Sequence, residues 1–242
     1  MYYNEKVIGN ALRDTFSKGE LSREEIFVST KVAHPNFPGS HERCPYDIDG
    51  CLEDLGLEYV DSLLVHWPGQ IGNTDAGLGK AKRAEIWAAL EDAHKAGKAR
   101  TIGVSNFELY HMDQLAESWT MRPMLNQIEC SPYLPREELV EEMQASGTQV
   151  MCYCPLGSGL LGVLDDPVIK EISSRHSSTP AQVVLSWHVH RNCVPVPKST
   201  NQQRLESNIG ALNVDLTEEE ISLMTSLARP NARVCPDPSE IL

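Results

Sequence analysis

The feature that most constrains this chain is an alternation. Six short apolar runs, each ending in a polar residue, are separated by longer segments with helical periodicity. The runs cover 26–32, 60–67, 101–104, 124–128, 149–153 and 193–196. Several are nearly continuous in Val, Ile, Leu and Met, as expected of strands covered on both faces. Between them, 83–95 puts Ile86, Trp87, Leu90 and Ala93 on one stripe, with Gly97 as its stop. Pro135 suits a first helical position, Leu139 and Met143 lie four apart, and Gly147 closes that segment. Thr179 and Pro180 open a helix bearing Val183, Val184 and Trp187. Thr200 with Gln203, and Thr217 with Glu220, read as capping boxes. Strands alternating with helices of this length predict βαβ units and a parallel sheet. A doubly wound dinucleotide fold calls for a Gly-rich turn after an early strand, and none is present. The expected fold is therefore an α/β barrel of the (β/α)8 type, forming one domain over 1–242.

Composition narrows the partners. The net charge is −13 across 242 residues, which disfavours nucleic acid and anionic membrane surfaces. No apolar run approaches the roughly 20 residues of a membrane span. MYYNEKVIGN lacks the basic-then-apolar pattern of a signal peptide. Seven cysteines, an odd number at irregular spacing, fit a reduced cytoplasmic protein better than a disulfide scaffold. On a strand Cys152 and Cys154 share a face and read as core thiols. His188 and His190, two apart on a helix, face different ways. His34, His41, His94, His111 and His176 show no clustered acidic or thiol partners. No metal is expected.

The strand ends carry the chemistry. The runs terminate at Lys31, at His66 and Trp67, at Ser105 and Asn106, at Gln127 and Glu129, at Tyr153, and at Lys198 and Ser199. In a parallel barrel these C-terminal ends meet on one face, where catalytic groups sit. Singly, each has a bland reading: a surface lysine, a satisfied histidine, turn amides, a packed tyrosine. Their shared position is what argues for function. A hydrolase or lyase needs paired carboxylates or metal ligands there, and Glu129 is the one acidic candidate. Lys198, Ser199, Asn201 and Arg204 cluster where a capped helix begins. Helix N-termini attract anions, and barrels bind phosphate after their last strands.

In order along the chain, the motifs resemble those of the aldo-keto reductases. Tyr2-Tyr3-Asn4-Glu5 with Ile8-Gly9 is similar to the segment bearing that family's catalytic tyrosine. Phe27-Val28-Ser29-Thr30-Lys31 resembles its lysine strand, and Leu64-Val65-His66-Trp67-Pro68 its histidine strand. Ile102-Gly103-Val104-Ser105-Asn106-Phe107, Asn126-Gln127-Ile128-Glu129, Tyr153-Cys154-Pro155-Leu156-Gly157 and Val196-Pro197-Lys198-Ser199 complete the series. The resemblance implies reduction of aldehydes or ketones by hydride transfer from NADPH. It makes Tyr2 the proton donor, Lys31 the cation that lowers its pKa, His66 the group orienting the substrate oxygen, and Trp67 a wall of the substrate pocket. Ser105, Asn106 and Gln127 are implied to bind the carboxamide and Tyr153 to stack on the nicotinamide. Leu156 and Ser158 fall in the pyrophosphate loop. Lys198, Ser199, Thr200 and Arg204 correspond to the 2′-phosphate site, and Asn208 to the adenine contact. The expected partner is a small carbonyl compound, and the expected state a monomer.

The chain also departs from that pattern. The family's catalytic aspartate, shortly before the tyrosine, has no counterpart ahead of Tyr2. Against the family layout, the barrel lacks its first two strands and first helix. An active reductase whose sequence is truncated at the N-terminus is one expectation. A catalytically impaired homologue that keeps nucleotide binding or an interaction role is the alternative.

Overall fold

The computed structural model describes residues 4–32, 47–69 and 75–242. They divide into two compact units: the chain up to Leu125 together with Pro238–Leu242, and Asn126–Asp237. No helix among the described residues is long and apolar enough to cross a membrane.

The first unit runs α1 (Glu5–Ser17), β1 (Ser29–Val32), α2 (Ile48–Leu55), β2 (Val60–Val65), α3 (Ala76–Lys95), β3 (Ala99–Ser105) and α4 (Leu109–Ala116). Its strands lie in chain order, parallel, with Lys31 opposite Leu64 and Leu64 opposite Gly103. Every residue of β2 is buried, as its apolar run requires. Asp61, the charge within it, is satisfied by Val28 N–H at 2.8 Å and by ion pairs with Arg23 and Arg100. The expected stripe of α3 holds: Ile86, Trp87, Leu90 and Ala93 are all buried. The helix begins earlier than its periodicity suggested, at Ala76, where the Asp75 carboxylate accepts from Leu78 N–H. The stretch Ala76–Lys82 has no apolar stripe to betray it. Gly97 stops the helix as expected, at φ 76°.

The final residues are fastened to this unit. Glu108 N–H donates to Nδ1 of His111, leaving Nε2–H to donate to the Ile241 carbonyl at 2.8 Å. Burial, with help from Arg83, holds His111 down to about 3, so the ring is neutral and its tautomer fixed.

The second unit begins with β4 (Leu125–Glu129), followed by α5 (Glu137–Ala145), β5 (Gln149–Tyr153), α6 (Pro167–Arg175), α7 (Pro180–His190), β6 (Cys193–Pro195), α8 (Gln202–Ile209) and α9 (Glu218–Thr225). The order is again that of the chain, with β5 and β6 parallel. Thr179 caps α7 and Thr217 caps α9, the latter with Glu220 in the expected box.

Two helix starts differ from the sequence reading. α5 begins at Glu137, so Pro135 lies ahead of it, its carbonyl taken by Arg191 at 2.9 Å. α8 is capped by Asn201, not by a Thr200–Gln203 box; Asn201 Oδ1 accepts from Arg204 N–H at 3.0 Å. A single residue of frame separates the two choices, and asparagine is at least as good a cap as threonine.

Asp166 ties the unit together. It caps α6, accepts from Tyr133 Oη at 2.7 Å and pairs with Arg229 at 2.8 Å. Each unit thus repeats a strand followed by a helix, with parallel neighbours in chain order, which is the construction of a (β/α)8-type barrel.

Candidate functional site

In the first unit the candidate groups sit at consecutive strand ends. Side chains alternate along a strand, so the register puts Lys31, His66 and Ser105 on one face. The opposite face carries Val32, Val65 and Val104, all buried. Gly103 lies on the functional face, and a Cβ there would come within 2.4 Å of the Leu125 carbonyl. Glycine is what lets these strands approach.

The strand ends are stitched together by hydrogen bonds. His66 N–H donates to the Val32 carbonyl at 2.9 Å. Asn106 Nδ2 donates to the His66 carbonyl at 2.9 Å and to Ser105 Oγ at 3.2 Å. Asn106 adopts φ 63°, a left-handed conformation that asparagine tolerates better than most residues. That twist turns its amide back across the end of β2.

The electrostatics set His66 and Lys31 apart from ordinary residues. Burial, followed by the neighbouring Lys31 cation, depresses His66 to about 3. The imidazole is therefore neutral at any physiological pH and able to donate one hydrogen bond without carrying charge. Lys31 is only half-buried, and burial lowers its pKa as well. Trp67 follows His66 with 6% of its surface exposed, an apolar group beside two polar ones. Tyr2, the expected acid, lies outside the described residues.

In the second unit Gln127 is buried on β4, its amide donating to Met151 Sδ at 2.7 Å. Tyr153 ends β5. Burial, ahead of Cys235 and Glu129, pushes its phenol above the ordinary range, so it is a neutral aromatic plate rather than an acid. The loop after it is left-handed at Cys154, Gly157, Ser158, Gly159 and Gly162. The loop folds on itself, with Gly157 N–H donating to the Cys154 carbonyl and Leu160 N–H to the Gly157 carbonyl. Leu156 is half-buried in this loop, and Ser158 is exposed with Oγ donating to Cys154 Sγ at 2.9 Å. Lys198, Thr200 and Arg204 are exposed around the start of α8, and no described residue forms an ion pair with either cation. Ser199 Oγ accepts from Asn201 N–H at 3.1 Å, bracing the turn. Asn208, one helical turn beyond Arg204, shares its side of α8 and is half-buried.

Three sequence readings need correction. Cys152 and Cys154 do not share a strand face: β5 ends at Tyr153, and Cys154 has φ 50° and is half-buried. Glu129 is a fastener, accepting from Val234 N–H at 2.6 Å and Cys235 N–H at 2.9 Å. His176 has an acidic partner, Glu220, at 2.8 Å. Sequence reasoning took Cys154 for a core thiol and missed its thiol partner. Its hydrogen bond with Cys235, then that with Ser158, lowers the thiol to about 7. A cysteine beside a chain reversal gives no local sign that another thiol will reach it.

The comparisons agree with this construction. The model of the Aldo/keto reductase family matches residues 1–229. A 9,11-endoperoxide prostaglandin H2 reductase of Trypanosoma cruzi is 36% identical over 239 residues, covering 98% of this chain and 78% of that protein. A glyoxal reductase of Bacillus subtilis is 34% identical over 242 residues, covering 100% and 81%. Among solved structures, an aldose reductase of Schistosoma japonicum superposes with a TM-score of 0.81 at 32% identity, covering 95% of this chain and 78% of that one. A Bombyx mori aldo-keto reductase in complex with NADP gives 0.80 at 30% identity, covering 94% and 76%. A family match across nearly the whole chain, carried by relatives of this identity and coverage, makes one conclusion direct: the chain belongs to the aldo/keto reductase family of oxidoreductases.

Proposed function

We propose that this chain reduces a carbonyl group of a small molecule with NADPH. The observation that carries the reading is the pair formed by neutral His66 and Lys31, on one face at the ends of adjacent parallel strands. His66 donates a hydrogen bond to the carbonyl oxygen. Being neutral, it polarises that oxygen without surrendering its own proton, so the acid must be another group. Tyr2 fills that role in this reading. A phenol donates sluggishly near neutrality, and the Lys31 ammonium favours its anion, lowering its pKa toward the working range. Trp67 walls the substrate side and excludes water.

The residues present fit the cofactor. When bound, NADPH supplies the hydride. Lys198 and Arg204 are cations without ion-pair partners among the described residues, at a capped helix start in a chain of net charge −13. That is a fit for a phosphate beyond what NADH carries. Ser199 and Thr200 add hydroxyls there, and Asn208 offers an amide to the adenine. In this reading Leu156 and Ser158 contact the pyrophosphate. Ser105, Asn106 and Gln127 complement a carboxamide, and Tyr153 supplies a flat apolar surface for the ring.

The test has two arms. Quenching of protein fluorescence is titrated with NADPH and with NADH, and loss of NADPH absorbance is followed with glyoxal and with a bulkier aldehyde. Tighter binding of NADPH than NADH, with aldehyde-dependent oxidation, is the expected result. Equal affinity for the two cofactors overturns the phosphate assignment. Tight NADPH binding without turnover on any carbonyl overturns the catalytic one.

A further inference from the structure

The second unit holds a cluster that the reductase reading does not use. Cys130 follows β4, Cys152 lies on β5 and His188 on α7. All three are completely buried, each at 0% exposure. One ligating atom from each lies within 4.8 Å of the other two. Alternation along β5 turns Cys152 to the face opposite Tyr153, away from the strand-end chemistry.

His188 makes the cluster more than a patch of core thiols. Among the described residues its ring nitrogens meet no oxygen or nitrogen partner, although the ring is wholly enclosed; its polar contact is with the Cys130 thiol. Its neighbours on α7 are Val184, Leu185 and Trp187, and the Trp187 ring packs edge-on at 4.7 Å between centroids. An enclosed imidazole whose polar contacts are weak thiol donors is poorly satisfied, and an ion shared with those thiols satisfies ring and sulfurs together.

The sulfurs face one cation and two carbonyls; Cys130 Sγ donates to the Pro135 carbonyl at 3.5 Å. Arg191 Nη1 donates to Cys130 Sγ at 3.8 Å, bringing a positive charge to one ligand. Cys193 on β6 pairs in register with Val150, so it shares the sheet face of Cys152. It is buried, with Gln144 Nε2 at 3.7 Å and the Arg191 carbonyl at 3.5 Å from its sulfur. Its sulfur is not one of the three that lie within 4.8 Å of one another, and a side-chain shift would be needed to bring it in as a fourth ligand.

We propose that Cys130, Cys152 and His188 bind a single thiophilic metal ion of the zinc class, with Cys193 as the fourth ligand. Zinc–sulfur bonds of about 2.3 Å and zinc–nitrogen bonds of about 2.0 Å let one ion reach atoms at these separations with small side-chain shifts. Three sulfurs and one imidazole form a structural, not a catalytic, zinc set. Loading releases the thiol protons to solvent, and the negative charge left on a three-thiolate site faces Arg191. Because the ligands are enclosed, the ion enters during folding and is retained. The site clamps β4, β5, β6 and α7 and takes no part in carbonyl reduction.

The sequence reading expected no metal, because the four residues lie far apart in the chain and show no ligand spacing. The test is to express the chain in zinc-supplemented medium, purify it without a metal-affinity step and measure bound zinc by mass spectrometry. Refolding in cobalt then reports the ligands through the thiolate-to-cobalt charge-transfer band. One zinc per folded chain is expected, with that band present. Stoichiometry should fall to background in C152S and H188F and stay at one in C51S, whose cysteine belongs to α2 of the first unit and not to the cluster. A folded wild-type chain without zinc, or a cobalt form lacking the thiolate band, overturns the proposal. Undiminished zinc in folded C152S does the same. Should the core variants fail to fold, the wild-type stoichiometry and cobalt spectrum still decide.

Discussion

The two candidate regions solve opposite problems. At the strand ends of the first unit His66 is buried and Lys31 half-buried; burial lowers both, and Lys31 lowers His66 further. At the start of α8, Lys198 and Arg204 stand in solvent with no ion-pair partner among the described residues, and their value lies in remaining available. A reacting carbonyl oxygen needs a dry, fixed partner whose protonation is set in advance. A phosphate needs cations that keep their charge and accept it on arrival. One region offers buried, perturbed groups, the other exposed cations.

The largest expected effect is on the buried side. Lys31→Met should lower kcat for glyoxal reduction by about 100-fold or more, the scale of a lost contribution to acid–base catalysis. NADPH affinity should change little. If affinity collapses while kcat survives, the contrast between the regions is drawn in the wrong place. The next effect belongs to the exposed side. Arg204→Ala should weaken NADPH by roughly 10- to 100-fold, as expected for a charged hydrogen bond. NADH binding should be nearly unchanged, and fluorescence titration of both cofactors reads the difference.

A third prediction concerns stability against pH. His66 ordinarily titrates at 6.5 and is held at about 3 when folded. Between those values the unfolded chain binds a proton that the folded chain refuses, so stability falls as pH drops below about 6.5. The slope is at most about 1.4 kcal/mol per pH unit for such a group. Denaturation midpoints at pH 7 and pH 5 should therefore converge in His66→Gln relative to the wild type. The smallest effect closes the comparison. Lys198→Ala and Arg204→Ala should each shift unfolding free energy by no more than about 0.5 kcal/mol, as exposed residues without partners do.

Much of the fold was legible because strand burial writes itself into apolar runs. The range Gln149–Tyr153 was read to the residue, and Ile86, Trp87 and Leu90 were read as one stripe. The candidate strand-end groups were legible for the same reason: a polar residue closing an apolar run in a parallel sheet has one place to go. What escaped was set by geometry without local pattern. The early turns of α3 lack an apolar stripe, and Asn201 displaced Thr200 as a cap by a single position. Cys152, His188 and Cys193 are ordinary core residues until β5, β6 and α7 bring them together. The perturbation of His66 is likewise absent from its neighbours in sequence, since Lys31 arrives from another strand.

The central claim is that this chain delivers hydride from NADPH to a carbonyl polarised by His66 and dependent on Lys31. Its most direct measurement uses NADPH deuterated at C4 of the nicotinamide, glyoxal as substrate and mass analysis of the alcohol. The account predicts deuterium on the newly reduced carbon with the wild-type chain, and almost no labelled product with Lys31→Met at saturating cofactor. A folded, NADPH-saturated wild-type chain that yields no labelled alcohol contradicts it, as does a Lys31→Met chain that labels at the wild-type rate.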